Sequence, residues 1–134
     1  MRAPLIPMLL ALALAAPIAG RADPLPAAAK AEVTALLGRL QASSCEFNRN
    51  GDWHSASDAK RHLERKLAYL EDKQLVKTAE QFIELGASKS SMSGKPYLVR
   101  CAGASPVESK AWLMRELAAV RAAAKGASAP PSTR

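Results

Sequence analysis

The segment Cys45-Glu46-Phe47-Asn48-Arg49-Asn50-Gly51-Asp52-Trp53-His54 interrupts an otherwise mostly helical sequence. Asn50-Gly51 favours the positive φ angles of a tight hairpin turn, which places Phe47 and Trp53 on short strands either side of it. Ahead of the hairpin, Val33, Leu36, Leu37 and Leu40 recur at i, i+3, i+4 and i+7, the one-faced pattern of an amphipathic helix. Pro26 suits a first helical turn. The spacing therefore predicts a helix over residues 26–42, ended by Ser43-Ser44.

Behind the hairpin, Ser55-Ala56-Ser57-Asp58 is a capping-box-like helix start, with Ser57 as a rival cap. Ala59, Leu63, Leu67 and Leu70 form the buried stripe of this second helix, which is expected to stop near residues 71–73. Thr78-Ala79-Glu80-Gln81 is another capping box. It opens a short third helix that buries Ala79, Phe82 and Ile83 and stops at Gly86. Residues 87–95 read as a polar loop. Pro96-Tyr97-Leu98-Val99-Arg100-Cys101 then alternates as a third strand. Ser105-Pro106-Val107-Glu108 or Ser109 caps a fourth helix, whose Trp112, Leu113, Leu117 and Val120 face inward. The expected fold class is α+β: a small three-stranded antiparallel sheet packed against about four helices, with one disulfide.

Outside this domain lie two segments of other character. Met1 and Arg2 are followed by an apolar stretch over residues 5–19, and Gly20-Arg21-Ala22 places small residues three and one before a cut. This is the layout of a secretory signal peptide, expected to be cleaved after Ala22. The run is shorter than the roughly 20 residues a spanning helix needs, it contains Pro7 and Pro17, and no lipobox cysteine precedes the cut. The organisation expected is a signal peptide over 1–22, one domain over 23–125 and a disordered tail over 126–134 that is rich in Gly, Ala, Ser and Pro. Localisation is expected to be periplasmic, with no transmembrane anchor after cleavage. Without Arg2 and Arg21 the mature chain keeps 17 basic and 12 acidic side chains, and its net charge falls from +7 to +5. The excess is spread along the chain, which favours anionic envelope surfaces and argues against nucleic acid.

Cys45 and Cys101 both fall in the mature part. In an oxidising compartment an even pair is normally a disulfide. The alternative is a thiol site, but the two are far apart in sequence and form no C-x-x-C. Closing so long a loop is worth roughly 4 kcal/mol in the chain-entropy account.

Candidate chemistry is sparse. On the second helix His62, Lys66, Tyr69 and Lys73 share a face beside the leucine stripe. They can line a groove for an anion, with His62 as proton donor; the preferred reading is a solvated boundary face. His54 and His62 lack a third firm metal ligand, so neither a metal site nor any other cofactor is expected. Residues 88–95, with Ser88, Ser90, Ser91, Ser93, Gly94 and Lys95, can ring a phosphate, sulfate or carboxylate with donors. The loop fails the P-loop spacing, and Met92 stands where an S-x-x-K serine is required. Its preferred reading is a loop held by its own side-chain-to-backbone bonds.

Three stretches carry a resemblance: Cys45-x-Phe47-x-Arg49-Asn50-Gly51, His62-Leu63-x-x-Lys66, and the run from Ala87-Ser88-x-Ser90-Ser91-Met92-Ser93-Gly94-Lys95-Pro96-Tyr97 to Val99-x-Cys101. With Ala79-Glu80-x-Phe82-Ile83-Glu84 and Trp112-Leu113, they make the chain similar to the YfeK-like family of small exported bacterial proteins, a domain of unknown function. The resemblance implies envelope localisation and the disulfide pair, and it implies no activity. Ser93-Gly94-x-x-Tyr97 also resembles a motif of periplasmic lysozyme inhibitors. Those are β-barrels, and a +5 chain would repel a basic lysozyme.

The expected function is that of a non-enzymatic binding or interaction module of the cell envelope, for an unknown envelope ligand or protein. Its contact surface is expected on the 88–97 loop with Tyr97, flanked by Lys66 and Tyr69. The rival is an envelope hydrolase acting on an anionic or glycan substrate through His62 and Ser90, Ser91 or Ser93. A His62 nitrogen within hydrogen-bond reach of a loop serine would favour the rival.

Overall fold

The computed structural model describes residues 25–128 and, before them, only positions 2 and 4. The expected signal peptide (but for those two positions) and residues 129–134 of the expected tail lie outside the described residues. α1 (Ala27–Ala42) is followed by β1 (Glu46–Arg49) and β2 (Asp52–His54), then α2 (Ala56–Asp72) and α3 (Ala79–Gly86). β3 (Leu98–Arg100), β4 (Val107–Glu108) and α4 (Ser109–Ser128) complete the order.

Local chemistry sets these boundaries. α1 ends where the Ser43 hydroxyl donates to the Leu40 carbonyl at 2.6 Å and Ser44 turns left-handed at φ 57°. Asn50 (φ 52°) and Gly51 (φ 88°) make the hairpin turn, conformations that Asn and Gly adopt at least cost. Ser55 caps α2 by accepting from Asp58 N, and Thr78 caps α3 by accepting from Gln81 N, each at 3.1 Å. Gly86 ends α3 without a positive φ. A Cβ there would meet Leu70 Cδ1 at 3.0 Å and the Phe82 ring at 3.1 Å, so this glycine lets α2 and α3 approach.

The sheet is antiparallel with strand order β2-β1-β3-β4, four strands rather than the three expected. The extra strand is β4, which pairs Val107 with Val99 and Glu108 with Leu98. In the sequence alone these two residues read as part of a helix cap. α4 starts at Ser109, the second of the two expected cap positions, whose N–H donates to the Tyr97 carbonyl at 2.8 Å. At its other end α4 runs on through Gly126 to Ser128, past the point where the tail was expected to begin.

β1 and β3 are the central strands, with Phe47 opposite Val99 and Glu46 opposite Arg100. One step further along, Cys45 and Cys101 form the disulfide, their Cα atoms 4.3 Å apart. That spacing belongs to a non-hydrogen-bonded antiparallel pair, so the bond crosses directly between the two central strands. Strand alternation sends Phe47, Val99 and Tyr97 to the helix-covered side, where all three are buried. On the opposite side Arg100 stacks over the Trp53 ring at 3.9 Å and pairs with Glu46 at 3.1 Å.

The helices close the core. α1 packs against α2, α3 and α4, while α2 and α4 also reach β1 and β3 respectively. The buried face of α1 (Val33, Leu36, Leu37, Leu40) meets the leucine stripe of α2 and the Trp112, Leu113 and Leu117 face of α4 in one cluster. The Phe47 ring stands edge-on to Trp112 with centroids 5.7 Å apart. Together these contacts fix α2 above the hairpin, and the candidate site lies between them.

Candidate functional site

Arg49 is the last residue of β1 and lies two positions after buried Phe47, hence on the same, helix-covered side. There it meets His62 of α2: Arg49 Nη1 lies 2.6 Å from His62 Nδ1. A guanidinium has no acceptor. The His62 Nδ1 must therefore carry a lone pair, and the ring of a neutral His62 keeps its proton on Nε2. Nε2 is 3.2 Å from the Tyr97 hydroxyl and so donates to it. Lys66, one turn along α2, donates to the same hydroxyl at 3.0 Å and to the Lys89 carbonyl at 3.3 Å. Its ammonium also stands 5.0 Å from the centre of the Tyr97 ring, within cation–π range.

A neutral His62 is what its surroundings dictate. Burial first, then the Arg49 guanidinium and the charges of Lys66 and Arg65, push its pKa from 6.5 down to about 4. In the unfolded chain the same ring takes up a proton below about 6.5. Its contribution to stability is therefore complete above pH 6.5 and is lost as pH falls from 6.5 to about 4. The ring is only half-buried, so after solvent screening the effect is on the order of 1–2 kcal/mol. Urea midpoints at pH 7.5 and pH 4.5 should fall further apart in the native protein than in His62→Gln. Equal gaps in the two proteins would remove the argument for the neutral ring.

The donor census is lopsided. The two lone pairs of the Tyr97 hydroxyl accept from His62 and Lys66, so its own proton needs another acceptor. Arg49 keeps further N–H groups beyond the one on His62. No ion pair among the described residues involves Arg49, Arg65 or Lys66, whereas Arg61 is paired with Asp58. Two adjoining concavities open here and share Arg49, His54, His62, Arg65 and Tyr97 as lining. One, of about 370 Å³, runs over Phe47, Ala59 and Leu63. The other, of about 560 Å³, runs past Asn50, Lys66 and Tyr69 to Ser90, Ser91 and Met92.

The serine loop is tied to itself and to the hairpin. Ser90 Oγ accepts from Met92 N and Ser93 N, each at 3.3 Å, and from the Asn50 amide at 3.3 Å. Ser93 Oγ accepts from Lys95 N at 3.2 Å and donates to Asn50 Oδ1 at 2.6 Å, while Ser88 donates to the Ile83 carbonyl at 2.6 Å. Gly94 supplies the positive φ of the turn, 74°. Ser88, Ser93, Gly94 and Lys95 line neither concavity, whereas His62, Lys66, Tyr69, Ser90, Ser91 and Tyr97 do. Met92 stands 97% exposed at the loop tip. Among the described residues, no hydrogen bond joins His62 to a serine, and no group of three His, Cys, Asp or Glu side chains could hold a metal. The structure adds Arg49, Arg61, Arg65 and His54 to the site, beyond the residues expected there. Arg49 had a signal, the two-residue alternation from Phe47.

Comparison with known proteins follows the same outline. The family model described as "Family of unknown function (DUF5329)" matches residues 27–121, from the first residue of α1 into α4. The chain is 44% identical over 69 residues to the uncharacterized protein YfeK of Salmonella typhimurium (strain LT2), an alignment covering 51% of this chain and 56% of that protein. The chain thus spans little more than half the length of this relative. No solved structure matches. The expected YfeK-like resemblance holds, and the chain belongs to this family of unknown function.

Proposed function

We propose that this protein is a non-enzymatic binding module of the bacterial envelope, and that the cleft between α2 and the hairpin holds an oxyanion. One observation carries the reading: Arg49, His62 and Lys66 present donors around the Tyr97 hydroxyl, and the cations Arg49, Arg65 and Lys66 form no ion pair among the described residues. Such a cluster draws anions by charge and lacks only acceptors. His62 works within it as a spacer. Its lone pair is taken by Arg49 and its proton by Tyr97, which leaves it neither base nor acid for a hydrolytic step. No observation favours the hydrolase.

Envelope placement is supported by the disulfide, since such bonds persist in oxidising compartments. No helix among the described residues is long and apolar enough to cross a membrane. Protein recovered from a periplasmic extract should have an intact mass beginning at Asp23; full-length protein confined to the cytoplasmic fraction would overturn the placement.

Thermal melting tests the binding. At matched ionic strength and pH 7, millimolar phosphate or acetate should raise the melting temperature above that in chloride. Arg49→Gln and Lys66→Met should each remove that rise while still melting cooperatively. A native protein indifferent to both anions would end the reading.

A further inference from the structure

We infer that the ligand of this cleft is a small amphiphilic anion, a phosphate or carboxylate head attached to a compact apolar body about the size of one aromatic ring. The inference rests on the anion-binding reading above and adds the other half of the ligand. Arg49, His62 and Tyr97 stand on the wall common to the two concavities, with Lys66 on the far side of it, and on the near side Phe47, Ala59 and Leu63 help to line a space of about 370 Å³. A bare ion would satisfy the donors and leave in water the edges of Phe47, Ala59 and Leu63 that reach the cleft. An apolar body beside the head displaces that water. Size limits the choice, because a dry apolar cavity of roughly 150 Å³ accepts benzene. The space here takes a ring, a linking atom and the head.

Charge sets the remaining terms. Arg49 and Arg65 border the apolar space, and Asp58, a carboxylate on its rim, is already engaged by Arg61. A cationic head would be repelled, and a neutral apolar molecule would leave the Tyr97 proton and the Arg49 donors unmatched. The opposite concavity carries Asn50, the Asp52 carboxylate, Ser90 and Ser91, and its own apolar groups, Tyr69 and Met92, are exposed to solvent, so the side of Phe47, Ala59 and Leu63 is the better shelter for the apolar body.

Isothermal titration of the mature protein at pH 7 tests this with two pairs, inorganic phosphate against phenyl phosphate and acetate against phenylacetate, with benzyl alcohol as the uncharged control. The ring-bearing member of at least one pair should bind tenfold or more tighter than its bare anion, and the pair that responds names the head. Benzyl alcohol should not bind. Ala59→Leu, which fills the apolar space, should remove the ring's advantage and keep the affinity for the bare anion. In the native protein, nuclear Overhauser contacts should join the bound ring to the Leu63 methyls, a readout independent of how the variant folds. Equal affinities within both pairs, contacts missing at Leu63, or benzyl alcohol binding as well as the anions would each overturn the inference and leave the anion site standing. Silence from all four anions would overturn both.

Discussion

Reduction of the native protein, or the double replacement Cys45→Ala with Cys101→Ala, is expected to lower the unfolding free energy by about 4 kcal/mol. The cysteines are 56 positions apart in sequence, and the bond joins the residues that flank the two central strands, one step beyond the Glu46–Arg100 pair. The folded state therefore holds these positions together with or without the bond. The loss falls mainly on the unfolded chain, which gains the freedom of a large open loop. For a domain of this size the change is a large part of the usual 5–15 kcal/mol. Urea unfolding with and without reductant measures it. The midpoint should fall well below the oxidised value, with the far-UV spectrum before the transition unchanged. A loss under about 1 kcal/mol would mean that the pair does not constrain the chain as the fold requires.

Phe82→Ala is expected to cost about 3–5 kcal/mol. Phe82 is fully buried on α3, and its ring lies against Gly86, where a Cβ would come within 3.1 Å of it. The backbone of α3 is held by the Thr78 cap and by close packing on α2, so the lost ring leaves a space that the neighbours fill only in part. A drop in melting temperature on the order of 15–25 °C follows for a domain near 100 residues. Exposed Leu85 on the same helix provides the control. Leu85→Ala should stay within about 0.5–1 kcal/mol of the native protein, and similar losses for the two variants would contradict the assigned buried face.

Much of this architecture could be read from the residues because local signals and burial agree. The leucine stripes of α1 and α2, the Ser55 and Thr78 caps and the Asn50-Gly51 turn each specify their element within a few positions. β4 could not be read that way. A two-residue strand has no alternation of its own, and Ser105 and Glu108 imitate a capping box; only the register with Leu98 and Val99 makes Val107 and Glu108 a strand. The site divides likewise. His62, Lys66 and Tyr69 stand out because helical spacing brings them to one face. Arg65, three residues after His62 on α2, shares that face. Arg49 joins them only once the hairpin folds beneath α2: alternation from Phe47 gives its side of the strand, but no local period says that α2 lies there. The serines were conspicuous in the sequence for their number, but most of those hydroxyls hold the loop's own backbone and Asn50.

Nitrogen-15 spectra of the His62 imidazole, followed through a phosphate titration at pH 7, test the donor cluster most directly. The ring should be neutral with its proton on Nε2, and its Nε2 signal should move saturably with the Lys66 ammonium, a movement lost in Arg49→Gln. A proton found on Nδ1, or signals that stay fixed to high millimolar phosphate, would contradict the account at its centre.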